Sequence, residues 1–373
     1  MSKKKLVFVT NIIPHYNEFF FNSISMKLCN EYDVYVIADT DSDEDVFTLK
    51  KSNRKYELIN IPFYSFYNFY YRTGLVNTIK QIKADKVVLY ANPKDISIWF
   101  LLFYLKLSGI WAASYGMFHR IGGMNIFSRT AYKLFGFFSA KLFCYSRRGA
   151  LTLESIGVDN SKINIIGTAI DNDSEIVEIS QIEKDDFIRN NHLYKASVIL
   201  QVVRLSSYKN PGFVIDVAQE MLKKNSNIVF VLIGGGELFD DLNSRVKFLG
   251  LESNIKLLGP CYDKKVLSLW FSVAKISVVP TCIGLSAHHS LGFGVPVMTD
   301  DSIVNQASEF DILQHGLNAI IYREGDLSDF VSKLEAYLDD VDHQLFMSEA
   351  SVNTIRYNAN IQSKVNNFIN ALN

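Results

Sequence analysis

Two cations that follow a strand-like segment are the first candidates for chemistry. Arg204 lies near the end of the apolar run 197–205, and Lys209 comes five residues later in the next loop. Two cations that converge at a strand end can hold a diphosphate through charge-assisted hydrogen bonds. Solvated surface residues are the alternative, because most lysines and arginines in proteins are exposed.

A glycine-rich turn, GGGEL at 234–238, follows a second strand-like segment. Gly235 and Gly236 let backbone N–H groups approach a phosphate closely, and a helix N-terminus comes next. The full GxGxxG spacing is missing, so a nicotinamide cofactor is poorly supported. A lone glycine-rich turn is weak evidence without further context.

The segment VVPTCIGLSAHHSLGFGVPV (278–297) predicts a strand end, a small-residue loop and a helix that begins near Ser286 as its N-cap. Free N–H groups at Gly284 and Leu285 can bind an anion. His288 and His289 fall in the first turns, and one of them could face a ligand. A packed or surface histidine is the alternative, and a metal site would need more ligands than the segment offers.

Strand-like and helix-like segments alternate through the whole chain, which predicts parallel sheets built from right-handed βαβ units. The strand-like segments form two series on either side of a polar, acidic stretch at 171–195. The first series comprises 4–12, 33–39, 83–93, 110–116, 140–146 and 162–170, and the second comprises 197–205, 227–235, 254–260, 275–280, 295–301 and 318–322.

These series predict an α/β fold with two Rossmann-like, doubly wound domains that face a cleft. We expect an N-terminal domain at 1–170, a C-terminal domain at 171–349, and a C-terminal helix at 350–373 that crosses back onto the first domain. In open α/β sheets, ligands bind beyond the carboxyl ends of the strands. The polar residues described above fall at such ends.

Two apolar stretches need a separate interpretation. Residues 96–113 contain the uninterrupted run WFLLFYL, which is far shorter than the roughly 20 apolar residues of a spanning helix. A buried crossover helix between two strands is the better interpretation. The aromatic stretch FYSFYNFYYR at 63–72 matches neither a clean helix nor a clean strand, so a loop is expected there.

Charge and aromatic residues are distributed unevenly along the 373 residues. The net charge of −1 combines +8 in residues 1–170 with −9 in 171–373. Residues 60–150 hold 12 basic and 2 acidic residues, together with 22 of the 49 aromatic residues. Such a surface fits an anionic membrane or, less well, a nucleic acid. A buried aromatic core with ordinary surface lysines is the competing interpretation.

Cysteine usage and the N-terminus indicate a reducing compartment. Cys29, Cys144, Cys261 and Cys282 are scattered without a CxxC pair, which argues against a disulfide framework and a zinc site. The start MSKKKLVFVT has too short an apolar run for a signal peptide. We therefore expect a cytoplasmic protein, peripheral at the inner face of the cell membrane.

The order of four segments resembles a known family. VVRLSSYKNPG, LIGGGEL, NIKLLGPCYD and PTCIGLSAHHSLGFGVPV occur in the order found in GT-B glycosyltransferases of the retaining "group 1", family-4 type. The opening TNIIPHYNEFFFNSI is similar to a subgroup found in bacterial surface-polysaccharide synthesis. The resemblance covers about 170–345 well and the N-terminal half loosely. It implies use of a nucleotide-diphosphate sugar, with UDP expected as the nucleotide.

The resemblance also implies roles for individual residues. Arg204 and Lys209 would bind the donor diphosphate. Gly235 and Gly236 would form the turn at the donor, and Pro260 and Cys261 would lie beside the base. The amides of Gly284, Leu285 and Ser286 would bind the phosphates. His289 would contact the ribose, and Glu309 would be the acidic residue nearby.

The chain departs from the family at several positions. The family often carries two glutamates in the third motif, and Thr281 and His289 stand at those positions here. Tyr115–Gly116 replaces the N-terminal His-Gly, with His119 slightly later, and Asn11 to His15 replaces the N-terminal Gly-Gly loop.

The implied reaction moves a sugar, with retention, to a hydroxyl of a glycan or polyprenyl-linked acceptor. It requires no metal or other cofactor, and no nucleic-acid partner is expected. If the enzyme inverts, His15 or His119 is the natural base, because imidazole titrates near neutral pH. A non-catalytic GT-B scaffold, a sugar-nucleotide epimerase of the same fold and, least favoured, an NAD-dependent enzyme remain as alternatives.

Overall fold

The computed structural model describes residues 2–40 and 54–372, without the side chains of His15 and Tyr16. The chain divides into two compact units, Met1–Asp171 with Ile361–Asn373 and Asn172–Asn360. Each unit is an α/β layer structure around one parallel sheet.

The strands, in chain order, are β1 (Lys4–Val9), β2 (Tyr32–Ala38), β3 (Glu57–Asn60), β4 (Tyr64–Phe66), β5 (Phe69–Tyr71), β6 (Lys86–Tyr90), β7 (Trp111–Gly116), β8 (Lys141–Cys144), β9 (Ile163–Ile165), β10 (Ser197–Val202), β11 (Ile228–Ile233), β12 (Ile255–Leu257), β13 (Ala274–Val278), β14 (Val297–Asp300) and β15 (Ala319–Tyr322).

The α-helices are α1 (His15–Lys27), α2 (Leu75–Ile82), α3 (Ile96–Leu107), α4 (Ile126–Phe138), α5 (Arg147–Ser155), α6 (Asn172–Glu175), α7 (Gln181–Asn190), α8 (Pro211–Leu222), α9 (Phe239–Phe248), α10 (Lys264–Val273), α11 (Ser286–Gly292), α12 (Leu327–Asp339), α13 (Val341–Asn353) and α14 (Ile361–Leu372).

The first unit contains a seven-stranded parallel sheet in the order β3-β2-β1-β6-β7-β8-β9. Both faces are buried, because alternate residues of one strand point to opposite sides. Val7 and Val9 of β1 join the cluster under α2 and α3, whereas Leu6 and Phe8 join the cluster under α1 and α14. Helices therefore cover both faces of the sheet, as a doubly wound fold requires.

The second unit contains a six-stranded parallel sheet in the order β12-β11-β10-β13-β14-β15. Val198 and Leu200 of β10 face one core cluster, and Ile199 faces the other. The strand order reverses between β10 and β13. In such sheets the carboxyl ends at the reversal leave a crevice for a ligand, so the topology itself marks the place to examine.

The two parallel sheets confirm the predicted α/β fold. The predicted return helix at 350–373 is shorter in the structure, because α13 ends at Asn353 and a π-helical segment, Thr354–Asn358, precedes α14. Ile355 and Ala359 are buried in a cluster of the second unit. In the first unit, Phe368 of α14 packs against Phe8 at 5.4 Å between ring centroids.

The aromatic stretch expected as a loop is a short antiparallel hairpin, β4–β5, in which Tyr64 stacks on Tyr71 at 5.3 Å. The hairpin is held at its base by Arg72, whose guanidinium donates to Asp95 and to the Thr10 carbonyl oxygen. Both ionic side chains are fully buried. A buried ion pair was not predicted, because Arg72 and Asp95 lie 23 residues apart in the sequence.

Helix α3 is the crossover between β6 and β7, as expected, but it is buried on only one side. Within residues 2–40 and 54–372, no helix is both long and apolar enough to cross a membrane.

Candidate donor site at the switch point of the second sheet

Loops that follow β10, β11, β12 and β13 carry the candidate residues of the second unit. These loops leave the carboxyl edge of one parallel sheet, beside the reversal between β10 and β13. Ligands of doubly wound sheets bind at such a position. The sequence places Arg204, Gly235, Pro260 and Gly284 in these four loops, one in each.

The glycine-rich turn packs directly on the loop after β10. A Cβ atom on Gly234 would lie 1.8 Å from the Val203 carbonyl oxygen, and one on Gly236 would lie 2.3 Å from that of Leu205. The Leu205 amide donates to the Gly235 carbonyl oxygen at 2.8 Å. Gly236 therefore serves close backbone packing, and this packing fixes the loop that presents Arg204.

Arg204 is exposed and lies near Glu237, the acidic residue of the same turn. The pKa of the Glu237 carboxyl is lowered by its own backbone amide and by that of Ser207, and Arg204 adds a smaller effect. The guanidinium stays open to solvent on the carboxyl edge of the sheet, where it is available to an anion.

Lys209 reaches the loop that follows β13. Its ammonium donates to the Cys282 carbonyl oxygen, and a Cβ atom on Gly284 would lie 3.6 Å from Nζ. Cys282 adopts a left-handed backbone conformation with φ of 55°, which is uncommon outside glycine and turns its carbonyl toward the amine. The structure thus brings Lys209 and Gly284 together.

The first amides of α11 are available to a ligand. Among the hydrogen bonds of the described residues, none uses the N–H of Gly284, Leu285 or Ser286 as a donor. The N-cap is Leu285 without a side-chain cap, so the expectation that Ser286 caps the helix is wrong. A helix start with unused amides attracts negative charge.

The two histidines of α11 differ in their surroundings. His288 is fully buried, and its carbonyl oxygen accepts a hydrogen bond from Asn172 at 2.8 Å. His289 is half-buried and lies one turn below Leu285 and Ser286, because residues three and four apart share a helix face. His289 is therefore the less buried of the two histidines and shares a helix face with Leu285 and Ser286.

Gln306 braces the same loop from beneath. Its side-chain oxygen accepts from the Ile283 amide at 2.7 Å, and its nitrogen donates to the Asp300 carboxylate at 2.7 Å. Gln306 is fully buried. Burial raises the pKa of Asp300, while hydrogen bonds from Thr281, Ser302 and Gln306 lower it. One amide side chain therefore joins the loop to the end of β14.

Glu309 lies in the 3₁₀ turn Ser308–Ile312 and is half-buried. Burial raises the pKa of the Cys282 thiol, Lys209 lowers it, and Glu309 raises it again. Lys209 contacts the Cys282 carbonyl oxygen, and the charge of Glu309 acts on the same residue. A cation suits the binding of a phosphate, and a carboxylate suits the binding of a hydroxyl.

Pro260 and Cys261 flank the glycine-rich turn. Three ring carbons of Pro260 would lie 3.6–3.7 Å from a Cβ atom on Gly235. Cys261 is half-buried against the apolar cluster that contains Trp270.

In the first unit, Tyr115–Gly116 ends β7 and His119 follows it. His119 is buried, and its Nδ1 lies 2.9 Å from the Met117 carbonyl oxygen. The side chain of His15 lies outside the described part of the structure.

Residues 183–354 match the family of glycosyl transferases group 1. The second unit is a glycosyl transferases group 1 domain. No curated protein matches the sequence of the chain.

Solved structures share the fold over the whole chain. The Anabaena protein HepE in complex with UDP gives a TM-score of 0.77 at 14% identity, with 99% of each chain covered. A glycosyltransferase from Rickettsia africae gives 0.76 at 12%, with 99% and 98% covered. The lipopolysaccharide outer core galactosyltransferase WaaB gives 0.70 at 14%, with 99% of each chain covered. The chain therefore has the GT-B fold.

Sequence reasoning missed two features of this candidate site. The Cys282 carbonyl has no signal in the sequence, because any residue type carries one. Gln306 lies within NQASEF, where a polar loop residue is ordinary, and only its full burial marks it. A positive φ at a non-glycine residue and a buried amide are both visible only in three dimensions.

Proposed function

We propose that this protein is a glycosyltransferase that moves a sugar from a UDP-sugar to a hydroxyl of a glycan or lipid-linked acceptor. The observation that carries the proposal is the convergence of Lys209 with the unused amides of Gly284, Leu285 and Ser286 at the switch point of the sheet. UDP as the nucleotide is supported by the complexes of HepE with UDP and UDP-glucose.

The proposed reaction requires stabilisation of negative charge on the leaving group. Negative charge grows on the diphosphate as the glycosidic bond breaks, and Arg204, Lys209 and the loop amides would stabilise it. One such preorganised donor contributes about 3 kcal/mol to the transition state. Protein cations then do the work that a divalent metal does elsewhere, so we propose a metal-independent reaction.

We propose retention at the anomeric carbon. In a front-face reaction the departing phosphate takes the acceptor proton, and no separate base is needed. If the reaction inverts instead, we propose His15 or His119 as the base, because a neutral imidazole nitrogen can accept the proton of the acceptor hydroxyl. His289 would hold a hydroxyl of the donor ribose, and Glu309 a hydroxyl of the sugar.

We further propose that the first unit docks on an anionic membrane, where a polyprenyl-linked acceptor of surface-polysaccharide synthesis would be available at the cytoplasmic face. Phe100, Phe103 and Leu107 form one stripe along α3 and are 69%, 55% and 73% exposed. Their spacing of three and four residues aligns them on one helix face.

The stripe continues on two neighbouring elements. Phe127, Leu134 and Phe137 are exposed on α4, and Lys106 of α3 lies 5.7 Å above the Phe137 ring. The hairpin β4–β5 is joined to the start of α3, because the Tyr70 amide donates to the Lys94 carbonyl oxygen at 2.9 Å.

Three exposed cations lie on the same helices, Lys106 on α3 and Arg129 and Lys133 on α4, and exposed Lys94 lies two residues before α3. Apolar and aromatic side chains mixed with cations are typical of surfaces that lie in a lipid interface.

Nucleoside-diphosphate release tests the reaction. Purified protein is offered UDP-glucose, UDP-galactose and UDP-N-acetylglucosamine, with and without polyprenyl-linked sugars. Acceptor-dependent UDP release supports a transferase, and release without acceptor indicates an epimerase or hydrolase. Absence of both turnover and UDP binding indicates a scaffold. Activity that persists in EDTA supports the metal-independent scheme, and complete loss that Mg²⁺ or Mn²⁺ restores contradicts it.

A further inference from the structure

A cavity of about 1120 Å³ lies in the second unit, away from the loops described above. Its wall includes Ser197, Ala274 and Pro296, which stand at the amino ends of β10, β13 and β14. The donor loops leave the carboxyl ends of the same strands. Because β10 has six residues at about 3.3 Å each, the two edges are separated by roughly 20 Å.

Cations dominate the wall of this cavity. Lys184 of α7, Lys195 and Lys275 line it, together with Arg189 and His192. Its acidic residue, Asp185, accepts a hydrogen bond from Gln181 at 2.7 Å.

The three lysines are not neutralised by the protein. Arg189 pairs with Asp186 at 3.1 Å, but within residues 2–40 and 54–372 neither Lys184, Lys195 nor Lys275 forms an ion pair. Their charge is therefore available to a ligand in the cavity.

This concentration of positive charge runs against the unit as a whole. Residues 172–360 carry 16 basic and 25 acidic residues, so cations do not gather there by average composition. Burial lowers the pKa of Lys184, and the neighbouring charge of Lys275 lowers it further, while the carboxylate of Asp185 raises it by a smaller amount. Two ammonium groups thus repel each other in a partly dehydrated place, and an anion between them would remove that cost.

We propose that this cavity binds a compact anion that carries at least two phosphate groups. Lysine amines bind phosphate as point charges, and three of them around one cavity match a ligand with several charges better than a single carboxylate. The apolar side chains of Ile188 and Leu193, which also line the cavity, accommodate an organic body between the phosphates.

Isothermal titration tests the proposal with two probes, inorganic pyrophosphate and fructose 1,6-bisphosphate. The titrated protein carries Arg204→Ala and Lys209→Ala, so that the donor site does not contribute. We expect one binding event, weakened at high salt because screening reduces the attraction. Tighter binding of the sugar bisphosphate identifies an organic ligand, and tighter binding of pyrophosphate identifies a free diphosphate.

Charge reversal then locates the event. Adding Lys184→Glu and Lys275→Glu lowers the affinity by about tenfold or more, since each reversal replaces an attraction with a repulsion of similar size. Lys247→Glu makes one such charge reversal on the exposed end of α9, outside the cavity, and changes the affinity by about twofold at most.

Folding is controlled by circular dichroism and by a second pair, Lys184→Gln and Lys275→Gln, which weakens binding in the same direction by a smaller factor. The proposal is overturned if neither probe binds, or if both cavity pairs bind as tightly as the parent protein.

Discussion

At the scale of single residues, Lys209 is the side chain on which the donor site depends most. It is held over the loop by the Cys282 carbonyl and lies beside Gly284. Lys209→Ala removes a preorganised charge from the diphosphate, so kcat falls by about 10² or more while the protein stays folded. Steady-state kinetics with the donor found in the screen measure this. Unchanged turnover would remove Lys209 from the site.

His289 stands where the family often has a glutamate, one turn below the loop amides. His289→Ala raises the KM for the donor more than it lowers kcat, because a ribose contact is shared by the ground state and the transition state. Kinetic constants for donor and acceptor distinguish the two effects. A loss confined to kcat would point to direct chemistry, and a misfolded His289→Glu would indicate a structural histidine.

Gln306 acts through the loop that it supports. Gln306→Leu keeps the volume but leaves the Ile283 amide without its acceptor and removes one of the donors to the Asp300 carboxylate, which costs about 1–3 kcal/mol of stability. We expect weaker donor binding, measured by titration with UDP, because the loop amides lose their fixed position.

Gln201→Leu is the matched control for that change. Gln201 is a fully buried amide in β10, and its side-chain atoms have no hydrogen-bond partner among the described residues. Its replacement preserves or increases stability. Equal effects of the two substitutions on UDP binding would contradict a specific role for Gln306.

At the scale of elements, the hairpin β4–β5 depends on the buried pair formed by Arg72 and Asp95. The guanidinium also donates to the Thr10 carbonyl oxygen at 2.7 Å and lies 4.1 Å from the centre of the Phe63 ring. Arg72→Met leaves a buried carboxylate unpaired, and the free energy of unfolding falls by about 3–5 kcal/mol. Chemical denaturation measures the loss.

An exposed ion pair provides the comparison for Arg72. Lys224 and Glu335 lie 3.0 Å apart on the surface of the second unit. Lys224→Met changes the free energy of unfolding by less than about 1 kcal/mol, because solvent screens the pair. If Arg72→Met costs no more than Lys224→Met, the hairpin is held by its aromatic contacts alone.

Some secondary-structure elements were predictable from the sequence and others were not. Runs such as NIVFVLIGG produce strand β11 because β-branched residues suit a sheet that is buried on both faces. The hairpin was missed because its side chains are aromatic on both faces and its anchor, Asp95, lies far along the chain. The order of the donor loops was predictable from the motifs, whereas the brace by Gln306 depends on tertiary packing across β14.

At the scale of the whole molecule, the excess of positive charge and the exposed apolar stripe of α3 belong to the same unit. Residues 60–150 carry a net charge of +10, while residues 171–373 carry −9. Each lysine or arginine near an anionic surface contributes about 1 kcal/mol, and the attraction fades beyond a Debye length of about 8 Å. The exposed cations Lys94, Lys106, Arg129 and Lys133 would together supply roughly 3–4 kcal/mol.

Liposome flotation tests the membrane face directly. The protein floats with vesicles that contain anionic lipid at low salt and is released at high salt, since screening removes the ionic part. Phe100→Ser with Phe103→Ser reduces flotation, because the apolar stripe of α3 loses its two largest side chains. Phe248→Ser, which removes a 90% exposed ring from α9 in the second unit, leaves flotation unchanged. If the protein ignores anionic vesicles even at low salt, the basic surface of the first unit has another purpose and a soluble acceptor becomes the better proposal.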